Sequence, residues 1–443
     1  MEVMLIRIFA SIKKVTRTTI VYTIFLFLAV PITQAKESGP DSLRSPILNR
    51  LKKDIAERNH GTQLDKFWHT VEKSGAPLVE PGSKPGYKLV TFIFRGGDDI
   101  TQVRLYSEID VLVMKSVKEN ESKIGLLSHL PKTDVWYLSM ELRTDLRAPY
   151  RFLVKRKGAN RIEKMLDPLN GKTLAPGTHW AHSIVELPDA PPQPWRNVSP
   201  EGHWKKITFT SKALGKSRTV YVYLPSDYLP DRTKPYPILL GMDSYGFKEP
   251  LLPANKIIEY LAKEHKIPET VMVLTEDVGP NGDFYGYDPV VSFLADEVLP
   301  EVKKVVNITS DPSDIIISGS SRRGLVASYA AFKRPDVFGK VLSLSGSFYW
   351  RPPGSEEFGW LPHLYAVTKR QPIRLYLAAG KLETFVSDEN AGNYLLGTNR
   401  RMRDVLIAKD YDFKYVEFMG IHSEVNWEDQ LAAGLKWLWA GSF

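Results

Sequence analysis

The chain has 443 residues, no cysteine, 43% apolar and 25% charged residues, and a formal charge of +8. That length offers two or three domains with buried cores, and the composition is globular rather than disordered. The lack of cysteine excludes disulfide staples, a thiol nucleophile, cysteine-ligated zinc or iron–sulfur sites and a lipidated N-terminal cysteine.

Arg7, Lys13, Lys14 and Arg17 precede an apolar stretch, 20–32, closed by Thr33-Gln34-Ala35. A basic flank, a short apolar run and a small-residue site predict a secretory signal peptide over 1–35. The run is short for a bilayer span, and an uncleaved anchor is the competing reading. Removing it takes four basic residues and one acidic residue, leaving +5. No basic run is interleaved with aromatics, so nucleic acid is not an expected partner. With no second run of membrane length, the mature protein is expected to be exported, periplasmic or secreted, without stable membrane insertion.

A polar, helical lead-in over 36–63 carries one stripe, Leu43, Ile47, Leu51 and Ile55, starting at Ser45-Pro46. A short helix with Phe67, Trp68 and Val71 should end near Gly75. Segments 88–94, 103–106, 111–114, 136–142 and 150–154 alternate or are β-branched between turn residues. They predict an antiparallel, immunoglobulin-like β-sandwich over 64–187. The proline-rich run from Pro188 to Trp195 reads as a semi-rigid linker over 188–204.

From about 205 the rhythm changes. Short apolar strands (220–224, 238–240, 271–274, 315–317, 341–344, 373–377 and 413–418) alternate with helix-length segments. This predicts an α/β domain over 205–443 with a mostly parallel sheet covered on both faces. Chemistry in such folds lies at the carboxyl ends of the strands.

There, Asp314-Ile315-Ile316-Ile317-Ser318 runs into Gly319-Ser320-Ser321-Arg322-Arg323-Gly324 and a small-residue helix. Strand, tight turn with serine, then helix is the layout of a nucleophile elbow. Gly319 lies two before Ser321, whereas Ser320 would be flanked by Ser318 and Arg322, so Ser321 is the better nucleophile. An ordinary strand-to-helix turn is the plain alternative. Only His363 and His422 follow Ser321. His422 leaves the last strand where a base should hang over an elbow, and His363 has no strand leading into it. Glu383, at the end of strand 373–377, is the candidate acid, with Asp388 and Glu389 as rivals. The oxyanion hole would use the backbone N–H of Arg322 and one from the loop after strand 237–240, at Ser244 or Tyr245, between which the residues do not choose. There is no P-loop, dinucleotide fingerprint or metal-ligand cluster, so neither metal nor organic cofactor is expected.

The stretch from Ile317 to Leu325, with Arg334-Pro335-Asp336-Val337-Phe338-Gly339 and the run from Leu342 to Trp350, closely resembles the enterochelin (enterobactin) esterases. Asp167-Pro168-Leu169-Asn170, Glu186-Leu187-Pro188-Asp189-Ala190-Pro191, Phe67-Trp68 and Pro77-Leu78-Val79-Glu80-Pro81 extend the likeness over about residues 64–443. The resemblance implies an α/β-hydrolase serine esterase that opens the trilactone of catecholate siderophores and so releases iron. It matches Ser321 to the nucleophile, His422 to the base and Glu383 to the acid. Three departures stand out. Arg323 replaces the first of the family's paired glycines, Gly420-Ile421-His422 replaces Gly-Gly-His, and the loop after Leu274 lacks the family's arginine. Arg322 or Arg323 could hold an anionic ferric catecholate instead, against a solvated pair as the plain reading. Trp350, Tyr349, Phe284 and Tyr285 could flank an aromatic substrate. Two other readings stay open: an esterase for another acyl or polyphenol ester, and a non-catalytic relative that binds a siderophore or partner.

Overall fold

In this computed structural model the described residues are 43–109, 125–242, 246–248, 250–276, 288–352, 359–384 and 395–440. The predicted signal segment and strand 111–114 lie outside them. Among the described residues no helix is long and apolar enough to cross a membrane.

Two helices lead in, α1 (Pro46–Glu57) and α2 (His60–Ser74). Ser45 caps α1 by accepting the Leu48 N–H, Pro46 pre-sets the first turn, and Gly75 ends α2 at φ 81°. The lead-in stripe needs one correction. Leu48 and Leu51 are the buried residues of α1, with Leu43 and Ile55 beside them, while Ile47 is 41% exposed. A strict spacing of four drifts around a 3.6-residue helix, so the i, i+3 pair and not the predicted residue faces the core.

A sandwich follows. One sheet has the order β1 (Leu78–Pro81), β2 (Tyr87–Arg95), β5 (Val135–Arg143), β4 (Ser128–His129); the other runs β3 (Ile100–Tyr106), β6 (Arg147–Arg156), β9 (His182–Glu186), β8 (Thr173–Leu174), with β7 (Glu163–Met165) on β6. All pairings are antiparallel. Aromatic side chains interlock between the sheets: Phe92 meets Tyr150 at 4.9 Å and Phe94 meets Phe152 at 5.4 Å, both edge to face. These rings are buried, and truncating one such as Phe92 costs about 3 kcal/mol.

The C-terminal sheet has eight strands in the order β10 (His203–Ser211), β11 (Lys216–Leu224), β13 (Val271–Thr275), β12 (Ile238–Met242), β14 (Ile315–Ser320), β15 (Lys340–Leu344), β16 (Arg374–Gly380), β17 (Asp412–Phe418). β10 and β11 are antiparallel, and the strands from β13 onward are parallel. Helices α3 (Ala254–Lys263), α4 (Asp288–Ser292), α5 (Leu299–Lys303), α6 (Arg322–Lys333), α7 (Trp360–Val367), α8 (Leu395–Ala408) and α9 (Glu424–Trp439) cover the two faces. The central strands are buried on both sides, hence their continuous apolar runs.

The two domains are fastened through α9. Arg147 at the start of β6 donates to Glu186 (2.8 Å) and to Asp429 (3.0 Å), and Asn426 Nδ2 donates to the Arg147 carbonyl (2.8 Å). In the proline-rich segment, Trp195 and Arg196 both donate to the buried carboxylate of Glu428.

Candidate active site

Ser321 stands between β14 and α6 with φ 56° and ψ −124°, a conformation that L residues rarely adopt. Its N–H donates to the Leu344 carbonyl, and its own carbonyl accepts from Gly324, Leu325 and Ser347. The turn is held by the end of β15 on one side and by the first turn of α6 on the other. A side chain at Gly319 would lie 2.5 Å from the Arg323 backbone, and one at Gly324 would lie 2.6 Å from Ser343 Oγ and 3.0 Å from the Gly319 carbonyl. The helix therefore approaches the strand closely at Gly319 and Gly324. Arg323, which departs from the family's paired glycines, fits because the residue it packs against, Gly319, has no side chain, and Arg323 itself lines the adjoining cavity.

His422 follows β17 in a loop whose Ile421 is buried among sandwich side chains. Asn426 accepts the Ile421 N–H at 3.0 Å, and a side chain at Gly420 would collide with Asn426 at 2.6 Å. Gly420 is thus required, while isoleucine in place of the family's second glycine packs this loop onto the other domain. His422 Nδ1 donates to Glu383 Oε1 at 3.2 Å, and the Gly380 N–H donates to Oε2 at 3.1 Å. Burial alone depresses the imidazolium. The hydrogen bond and charge of Glu383, joined by the charges of Glu108 and Glu424, outweigh it, and His422 lies above its ordinary value of 6.5. With Nδ1 engaged, Nε2 is left to accept a proton.

Ser321, Arg323 and His422 line one cavity of about 390 Å³. Its opposite wall belongs to the sandwich: Tyr106, Glu108, Trp180 and His182, none of them marked by any local motif. His182 is held below 6.5 by burial and by Arg151, so it presents a neutral ring. Arg322 opens α6 with an exposed side chain, and its backbone N–H is in the first turn, where helical donors lack helical acceptors. Trp350 does not line the cavity. It packs edge-on against Trp360 at 5.6 Å over the hydrolase core, because the chain after β15 turns back onto α7. His363 sits within α7, also away from the cavity. Ser244, Tyr245, Phe284, Tyr285, Asp388 and Glu389 lie outside the described residues, although Gly246 and Phe247, just after the first two, line the cavity.

A sheet of this strand order, with a serine on a strained turn after β14 and an acid–histidine pair after β16 and β17, defines an α/β-hydrolase. The chain belongs to the Esterase family: its model, described as "Putative esterase", matches residues 211–438, and the model for the N-terminal domain of enterochelin esterase matches 89–196. The chain is 26% identical over 348 residues to the iron(III) enterobactin esterase of Escherichia coli, covering 72% of this chain and 82% of that one. It is 24% identical over 427 residues to the iron(III) enterobactin esterase of Dickeya dadantii, covering 85% and 93%. The crystal structure of ferric enterobactin esterase from Salmonella typhimurium superposes with a TM-score of 0.70 over 85% of this chain and 98% of its own, at 23% identity.

Proposed function

We propose that this protein is a serine esterase hydrolysing the ester bonds of catecholate siderophores of the ferric enterobactin type. One observation carries the reading. The serine on a positive-φ elbow and the histidine hydrogen-bonded to a buried glutamate border the same cavity. The names of the relatives supply the substrate class.

In this reading Ser321 Oγ attacks the ester carbonyl and loses its proton to His422 Nε2, while Glu383 fixes the tautomer and offsets the charge of the imidazolium. The N–H of Arg322, in the first turn of α6, holds the oxyanion, and the expected second amide, at Ser244 or Tyr245, lies outside the described residues. His422 then protonates the leaving alkoxide, and water, deprotonated by the same ring, releases the acyl group. The basic, apolar N-terminus supports export through a signal peptide at 1–35, to the periplasm or beyond.

Mass-spectrometric product analysis with enterobactin, with and without iron, tests the reading. Ring-opened linear esters and the N-acylserine monomer should accumulate with the wild type and not with Ser321→Ala. Turnover of simple esters without turnover of enterobactin would point to another acyl or polyphenol ester. No turnover of either, with no labelling of Ser321 by a fluorophosphonate, would falsify the esterase reading.

A further inference from the structure

Beneath the acid lies a residue that the mechanism above does not use. Ser345, just after β15, is fully buried at φ 50°, with its N–H donating to the Ala378 carbonyl. Its Oγ lies 2.7 Å from Glu383 Oε1 and 3.0 Å from Trp427 Nε1. An indole N–H only donates, so Ser345 Oγ accepts from Trp427 and its own proton must point at Glu383. The carboxylate oxygen that receives it is the one that receives His422 Nδ1–H. The Trp427 ring, first turn of α9, also stands against the His422 ring at 4.8 Å and 89°. One indole thus orients a hydroxyl and restrains an imidazole.

We propose that Ser345 and Trp427 are positioning residues that hold the Glu383 carboxylate aimed at His422. The inference rests on the esterase reading of Ser321, His422 and Glu383. Glu383 is only 4% exposed, and a buried carboxylate needs donors to stay charged. Gly380 N–H supplies one on Oε2, and Ser345 supplies a second on Oε1. The positive φ of Ser345 is the local strain that brings its hydroxyl under the acid. Removing this donor leaves the carboxylate charge less neutralised, so the imidazolium is held more tightly and His422 titrates at higher pH.

The test uses the full chain with Ser345→Gly, since glycine accepts φ 50° and removes the hydroxymethyl group with its donor, and Trp427→Phe, which keeps a ring against His422 but removes the N–H. Ser345→Gly should lower kcat about tenfold, with KM within about twofold, as expected for one lost hydrogen bond to a charged group. The acidic limb of kcat/KM should move up by about half a pH unit. Trp427→Phe should shift both in the same direction, and the double variant should be no worse than Ser345→Gly. A second readout needs no turnover: the low-field Nδ1–H proton resonance of His422, identified by its loss in His422→Gln, should titrate at higher pH in both variants. An unchanged His422 titration and acidic limb in folded Ser345→Gly overturns the proposal while leaving the esterase reading intact. Should Ser345→Gly not fold, an unchanged titration in Trp427→Phe overturns it. A wild type inert to esters and fluorophosphonate ends the esterase reading, and the histidine titration still decides the network.

Discussion

Arg147, the first residue of β6 in the sandwich, donates to Asp429 on the last helix of the hydrolase domain at 3.0 Å, with its side chain only 4% exposed. The same guanidinium reaches Glu186 and the Pro191 carbonyl. Two domains and the segment that joins them therefore meet on one buried cation. Arg147→Ala leaves Asp429 desolvated without its charge partner, and such a break costs about 3 kcal/mol. Denaturant unfolding should show that loss, with a lower midpoint than the wild type. The His422 loop, tied to Arg147 through Asn426, should loosen with it, so activity should fall further than that of a surface arginine variant.

The acidic residues beside it give a pH dependence. Burial pushes Glu428 up to about 7, against the pull of Arg196, and Asp429 up to about 6, against Arg147. A carboxyl whose folded value is raised binds protons more readily folded than unfolded. Its contribution is therefore fully present below the ordinary value near 4 and is lost as pH rises to 7. Thermal melts should show Glu428→Gln gaining on the wild type as pH goes from 5 to 8. Parallel curves would contradict the assignment.

For catalysis the sign is opposite in form. His422 must be neutral to accept a proton, and its value lies above 6.5. Activity should therefore rise with pH through a limb above 6.5, and Glu383→Gln should bring that limb down while lowering kcat. A pH–rate profile on a chromogenic ester checks both.

The elbow admits no side chain at Gly319. Gly319→Ala drives a methyl into the Arg323 backbone at 2.5 Å, and the overpacking should cost about 3 kcal/mol and most of the activity. Arg323→Gly, by contrast, removes a side chain that lines the cavity and restores the family's glycine, and should leave a well-folded enzyme. Comparing its turnover of ferric and iron-free enterobactin asks whether that guanidinium holds the anion; an unchanged ratio rejects the idea.

Trp180, 47% exposed, borders the cavity from the sandwich side. Trp180→Ala should raise KM for enterobactin about fivefold with kcat unchanged, a loss of about 1 kcal/mol of binding. Turnover of a short-chain ester, too small to span the cavity, should not change.

The parallel strands were legible because burial on both faces leaves near-continuous apolar runs, as in β12, β13 and β15. β10 is illegible in the sequence for the reverse reason: every residue from His203 to Thr210 is exposed or half-exposed, so the edge strand has no buried apolar face. At the site, the elbow motif points to Ser321 and the order of strand ends to His422, while Glu383 has Asp388 and Glu389 as rivals that only the family resemblance sets aside. The wall formed by Trp180, His182 and Glu108 had no such order to betray it, because a surface assembled from a separate domain has no local spacing. Trp427 was hidden likewise, one aromatic among many on a buried helix. Trp350 drew attention as an aromatic beside the elbow, yet the turn of the chain spends it on Trp360.

That the sandwich supplies part of the cavity's lining has an evolutionary corollary. Bond-breaking groups reside wholly on one scaffold, while much of what greets the incoming molecule resides on another. Changes at the tip of the first 190 residues can retune which ester is accepted without disturbing the machinery that cleaves it, and relatives with identical chemistry are free to diverge in diet.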